Sequence, residues 1–374
     1  QRALGIQRDA GVSDLSSARF LYQFADKFQS IRHYETLELP MAATHLFFKV
    51  PGVDSTFSAP ISNWKRPENG TTAQRLFDKV KPASNAYWVV EGKTIRFRPG
   101  THRIAADVII PEGFDVFMGE GTTLDFVKKA KFISHSPVKM IGSEDAPVMV
   151  RSSDKSAQGF TILQAGQESV LKNVIFDNLN TLNEGGWILT GAVNFYESEV
   201  RFYRCVFREN HCEDALNVIR SHYLVEACQF VQTNFDAFDS DFCKGEVLNC
   251  TFRDIGNDAM DFSGSIVTIR DCRAIRCGDK GISTGEESDV TAIGVTVENA
   301  NIGAAAKDFS TLYIRDMTLK NCDQGFAAYQ KKPEFGGAHL VVESHKAEGV
   351  RRLYAISKGC SLQLGGERIL PEGE

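Results

Sequence analysis

Six short segments of this chain recur at a fixed interval of 22 residues. Glu213-Asp214-Ala215-Leu216-Asn217 aligns with Phe235-Asp236-Ala237-Phe238-Asp239 and Asn257-Asp258-Ala259-Met260-Asp261. Asp279-Lys280-Gly281-Ile282-Ser283, Asn301-Ile302-Gly303-Ala304-Ala305 and Asp323-Gln324-Gly325-Phe326-Ala327 continue the series. The second positions fall at 214, 236, 258, 280, 302 and 324, so every step is 22. Half a turn earlier, Cys205-Val206-Phe207, Cys228-Gln229-Phe230 and Cys250-Thr251-Phe252 repeat as well, with Cys272 another 22 residues on. Short apolar strands separated by Gly, Asn and Asp, with no helical insert, fit one repeat per coil of a parallel β-helix. Successive coils then pair backbone to backbone at about 4.8 Å. A leucine-rich repeat of similar period would need a Leu/Asn consensus that is absent. The expected fold is all-β: a single-stranded right-handed parallel β-helix over 87–374, roughly a dozen coils between 87 and 365 and on the order of 60 Å long.

Alternation within a strand sets the facing of each side chain. Leu216, Phe238, Met260, Ile282 and Phe326 are expected to stack inward as one ladder. Asn217, Asp239, Asp261 and Ser283 form an outward ladder, and Asp214, Asp236, Asp258 and Lys280 stack at the preceding turn. Cys205, Cys228, Cys250 and Cys272 read as an internal stack of small apolar groups. The nine cysteines are an odd number and offer no C-x-x-C pair for zinc. Region 1–86 reads as a small helical and loop cap. A capped amphipathic helix follows Ser16-Ser17, a shorter one follows Thr71-Thr72, and 51–70 is turn-rich loop.

Charge narrows the function. Forty-two Lys and Arg against 48 Asp and Glu give a net charge of −6 in 374 residues. That balance lacks the clustered basic surface of a nucleic-acid binder. No run of about 18 apolar residues exists, so no membrane span is expected. The chain opens at Gln1 without a basic-then-apolar leader, which suits a mature secreted chain, a cytosolic chain or a fragment. Free cysteines lean toward a reducing compartment. No G-x-S-x-G, P-loop or H-E-x-x-H pattern occurs.

The acidic repeat positions are the chemical candidates. Asp236, Asp239, Asp258 and Asp261 lie on adjacent coils, where like charges repel unless a cation or a shared proton intervenes. Oxygen ligands of this kind suit Ca²⁺; turn geometry and side-chain ladders alone also place Asp and Asn at such corners. Lys280, above Asp258, is either a base for a proton α to a uronate carboxylate or a counter-ion of the stack. Lys307, Tyr329 and Lys331 are candidates for binding an acidic sugar chain, against the alternative of a solvated loop.

The runs Gly256-Asn257-Asp258-Ala259-Met260-Asp261-Phe262-Ser263-Gly264-Ser265 and Ala327-Ala328-Tyr329-Gln330-Lys331-Lys332-Pro333 resemble the β-helix region of bacterial proteins carrying a CotH-type domain upstream. That likeness implies an exported or cell-envelope protein and carries no kinase motif with it. More widely, the chain is similar to the pectate-lyase-like superfamily of lyases, epimerases and glycoside hydrolases. Asp236 with Asn257-Asp258-Ala259-Met260-Asp261 resembles the calcium site of family-nine polysaccharide lyases. Ser283, in Gly281-Ile282-Ser283-Thr284-Gly285, stands where those enzymes place a catalytic lysine. The leading expectation is therefore a β-helix that engages an acidic polysaccharide as a Ca²⁺-assisted lyase or epimerase. Its metal ligands would be Asp236, Asp239, Asp258 and Asp261, its catalytic groups Lys280, Asp239 and Asp261. A noncatalytic spacer or adhesion module is the alternative, and a two-carboxylate glycoside hydrolase is the third.

Overall fold

The computed structural model describes residues 2–8, 11–13, 43–49, 54–60, 82–184, 187–369 and 371. The chain divides into two compact units, Gln1–Gly70 and Thr71–Glu374. In the first, four antiparallel strands run in the order Gly11–Ser13, Arg2–Arg8, Ala43–Lys49, Thr56–Pro60. Thr56–Pro60 falls within the stretch expected to be loop; its backbone finds partners along Ala43–Lys49, which outweighs the turn-rich flanks. The helices expected after Ser16 and Thr71 lie outside the described residues.

The second unit is a parallel β-helix of about 12 turns, with no helix among its described residues. Each coil contributes three short strands, one to each side of the rod. In one coil these are Gln229–Thr233, Asp236–Asp241 and Lys244–Leu248. The next supplies Thr251–Ile255, Met260–Ser263 and Ile266–Arg270. The register is the one the repeat predicts. Leu216 pairs with Phe238, Phe238 with Met260, Met260 with Ile282, Ile282 with Ala304 and Ala304 with Phe326. All six are fully buried. A second internal column stacks Phe207, Phe230 and Phe252 with ring centroids 4.6 and 4.8 Å apart, the spacing of the coils themselves.

Three corners per coil turn the chain, and each is made by a residue in the left-handed region. The corners after the strands containing Ile219, Glu226 and Val231 use Arg220, Ala227 and Gln232; one coil later they are Phe242, Asn249 and Asp254. The residue after such a corner is small and points inward. Cys205, Cys228, Cys250 and Cys272 form one such column, buried and reduced, with the Cys205 N–H donating to the Cys228 Sγ at 3.4 Å. Cys243, Ser265, Ser288 and Ser310 form another, each side chain accepting the N–H of the coil below. One coil is longer than the rest. Its excess forms a hairpin, Leu182–Glu184 and Trp187–Leu189, folded back so that Glu184 pairs with Lys131 at 2.5 Å and the Asn183 carbonyl accepts from Gln158.

Candidate functional site

The outward side chains of Asp214–Ile219, Asp236–Asp241, Met260–Ser263, Arg273–Gly285, Thr296–Lys307 and Gln324–Tyr329 share one side of the rod. Register stacks Asn217, Asp239, Asp261 and Ser283 in the expected column. Outward strand faces are normally solvated. Here Asp214, Asn217, Asp258, Lys280, Ser283 and Lys307 are all buried. Long side chains and the loop beyond Tyr329 roof the column. Lys307 crosses Gly285, where an added Cβ would stand 3.3 Å from its Cε, and reaches Asp261 at 3.5 Å.

Three carboxylates converge. One oxygen each of Asp236, Asp258 and Asp261 lies within 4.8 Å of the other two. Asp236 accepts from the Asp258 N–H and the Asn257 amide, both at 2.7 Å. Asp258 accepts the Lys280 N–H at 2.9 Å, and its two oxygens each lie 3.3 Å from Lys280 Nζ, which also pairs with Asp279. The Asn217 amide bridges Asp214, Asp239 and Thr190 at 3.1–3.2 Å. On the far side Lys332 pairs with Glu286 at 2.5 Å, and Glu286 also accepts from Ser263.

This packing displaces proton affinities in two directions. Burial, then repulsion from Asp258, Asp261 and Asp214, pushes Asp236 up to about 7. Burial also lifts Asp214 and Asp241 to about 6, and lifts Asp239 well above the usual carboxylate range with repulsion from Asp214 and Asp241 added. Asp258 is raised by burial and held down in part by Lys280. The lysines go the other way. Burial works against their charge, yet Asp258 and Asp279 hold Lys280, and Asp261 holds Lys307, above the ordinary lysine value.

Several expected roles change. Lys280, expected as a base, is a buried and ion-paired cation; the carboxylates that surround it oppose the neutral amine a base requires. Lys307, expected on the surface to meet substrate, is buried against Asp261. Asp239 stands outside the converging trio and is held by Asn217 instead. Tyr329 is half-buried and next to Lys307 in register. Lys331 is exposed, and its backbone N–H donates to Asp308, which also holds the Lys332 N–H. Asp279, Glu286, Lys332 and Asn217 were not singled out by sequence. Each lies one 22-residue step, or close to it, from a residue that was, and that spacing is the signal that would have found them.

The family model for the right handed beta helix region matches residues 190–338. This stretch is a right-handed β-helix. No curated protein matches the chain in sequence. Among solved structures it is similar to the periplasmic alginate epimerase AlgG, at 12% identity and TM-score 0.44 over 78% of this chain and 81% of that one. It is similar to a GH87 α-1,3-glucanase catalytic domain in complex with tetrasaccharides, at 9% identity and TM-score 0.43 over 72% of this chain. Pectate lyase Pel9A aligns at 11% identity and TM-score 0.34 over 70% of this chain and 79% of that one. The chain spans 64% of the glucanase domain, under two thirds of its length.

Proposed function

We propose that this side of the rod binds a polysaccharide and cleaves it by acid–base chemistry between carboxyl groups. The observation that carries the reading is the convergence of Asp236, Asp258 and Asp261 beside two buried lysines. Asp258 is committed to Lys280 and to a backbone N–H, whereas Asp236 and Asp261 stay partly open to solvent. A proton affinity near 7 leaves Asp236 partly protonated at neutral pH. Asp236 would give that proton to the leaving glycosidic oxygen as the anomeric C–O bond breaks. Water attacks the anomeric carbon, and Asp261, with Lys307 as its counter-ion, accepts the water's proton.

A second reading is a Ca²⁺-assisted lyase or epimerase on an acidic polysaccharide. It is favoured by the same three oxygens, because ligands at 2.3–2.6 Å from one Ca²⁺ lie up to about 5 Å apart. Asp261 Oδ1 also lacks a hydrogen-bond partner. Asp236, Asp258 and Asp261 would hold the ion, and bound Ca²⁺ would supply the positive charge that neutralises a uronate carboxylate. Carboxylates outnumber lysines on this side of the rod, so an acidic glycan needs such a cation more than a neutral one does. The likeness to β-helix regions of CotH-type proteins adds a proposed setting, an exported or envelope protein.

The test is a panel of neutral and uronate polysaccharides, each with Ca²⁺ and with chelator, read for new reducing ends and for unsaturated products. Hydrolysis predicts reducing ends without unsaturation, and at least a hundredfold loss in Asp236→Asn and in Asp261→Asn. Unsaturated products that require Ca²⁺ select the second reading. No cleavage of any polymer leaves the noncatalytic module.

A further inference from the structure

Two phenylalanines break the corner rule of this rod. Among the described residues, Phe242 and Phe309 are the phenylalanines in the left-handed conformation, with φ of 55° and 63°. A bulky side chain there is strained, and Gly, Asn or Asp relieves it. Both rings are also exposed, 51% and 54%, although most phenylalanines of the rod are core residues. Both occupy the same corner, each immediately before a member of the Cys243–Ser265–Ser288–Ser310 column. Each lies on a glycine. A Cβ on Gly264 would stand 2.5 Å from the Phe242 ring, and one on Gly336 would stand 2.6 Å from the Phe309 ring. The corner borders the acidic strands, since Phe242 follows Asp241 and Phe309 follows Lys307-Asp308.

Strain at two equivalent corners, two exposed rings and a cleared shelf under each have no packing explanation, because neither ring enters the core. We infer that Phe242 and Phe309 are stacking platforms for the sugar rings of a glycan chain lying along the rod axis beside the carboxylates. Between them, at the same corner, stand Gly264 and the exposed Glu287. Three coils separate the platforms, about 14 Å at the coil spacing. Two sugars held at that distance leave two more between them, so the occupant spans at least four residues. Glu287, Glu286 and Lys332 face the span between the rings and offer acceptors and a donor to sugar hydroxyls. The inference rests on the glycan reading above and deepens it.

Isothermal titration of the full chain carrying Asp236→Asn, which stops turnover, would use disaccharides and hexasaccharides of α-1,4-galacturonate, β-1,4-mannuronate and β-1,4-glucose. At least one hexasaccharide should bind well above its disaccharide. Phe242→Gly and Phe309→Gly should each weaken the hexasaccharide by about tenfold and leave the disaccharide nearly unchanged. Thermal melting separates stacking from structure: glycine relieves the corner, so both variants should melt at or above the parent temperature. Hexasaccharide binding unchanged by both variants overturns the platforms and leaves the carboxylate reading standing. A fall in melting temperature of more than about 3 °C makes the rings packing residues and overturns the inference. No binding by any hexasaccharide overturns both.

Discussion

Replacing Lys280 with Met removes one positive charge and almost no volume from the most tightly enclosed part of the site. Lys280 Nζ lies 3.3 Å from both oxygens of Asp258, and the two side chains are 9% and 3% exposed. At an effective dielectric of 20 that separation is worth about 5 kcal/mol before desolvation is subtracted. Breaking a buried pair from one side costs about 3–5 kcal/mol, because the carboxylate left behind stays buried without its counter-ion. Lys280→Met should therefore lower the melting temperature by about 5–15 °C at pH 7. The pH dependence identifies the cause. Without Lys280 the proton affinity of folded Asp258, already raised by burial, rises further. A group whose folded pKa exceeds its unfolded value of about 4 gives a fold that gains stability as pH falls toward 4. The deficit of Lys280→Met should accordingly shrink from pH 7 to pH 5 in melts followed by circular dichroism. Adding Asp258→Asn to Lys280→Met should recover most of the loss, as a positive coupling in a double-mutant cycle. A single variant that melts within about 2 °C of the parent at pH 7, or a deficit that grows at pH 5, would refute the buried-pair argument.

The unmodified protein should melt higher at pH 5.5 than at pH 8, since Asp214 and Asp241 near 6 and Asp236 near 7 all bind protons more tightly folded than unfolded; a flat melting temperature across that window contradicts those shifts. Millimolar Ca²⁺ after chelator treatment should raise the melting temperature, and Asp236→Asn with Asp261→Asn should abolish the rise, if the carboxylate trio takes the ion. Phe238→Ala should cost about 3–5 kcal/mol, because its ring is fully buried between Tyr223 at 5.2 Å and Phe262 at 6.1 Å, and chemical denaturation would measure it. All nine thiols are buried, so a thiol reagent should label none in the native state and all nine in denaturant.

What could be read from sequence followed the coil period. The stacking of Leu216, Phe238, Met260 and Ile282 was legible because a parallel solenoid adds one constraint, pairing at a fixed step, to the alternation of a strand. The same two rules placed Asn217, Asp239, Asp261 and Ser283 in one outward column. They do not reveal what lies over that column. Burial of Lys280, Lys307 and Ser283 arises from side chains that run along the rod axis and from a loop beyond Tyr329, neither of which has a period. Lys307 therefore looked free and proved committed to Asp261, two coils away. Asp258→Asn, which sequence alone would call harmless at a turn, now removes the partner of a buried lysine. Phe242 was legible in principle, standing 22 residues before Gly264, but only once the corner conformation was known.

The hairpin of the longer coil shows how a rod of this kind can change length in sequence without changing length in space. Phe160 pairs with Val193, a separation of 193 − 160 = 33, where Phe238 and Met260 are separated by 260 − 238 = 22. The eleven surplus residues leave at a corner and return to the same rung, because interstrand hydrogen bonds and not residue count fix the rise. Any corner is thus a place to splice in foreign sequence while every rung above and below keeps its neighbour. A tag or a reporter domain inserted between Glu184 and Trp187 would hang from the side of the rod and leave the carboxylate strands unmoved, whereas one extra residue inside Asp236–Asp241 would turn its inward side chains out.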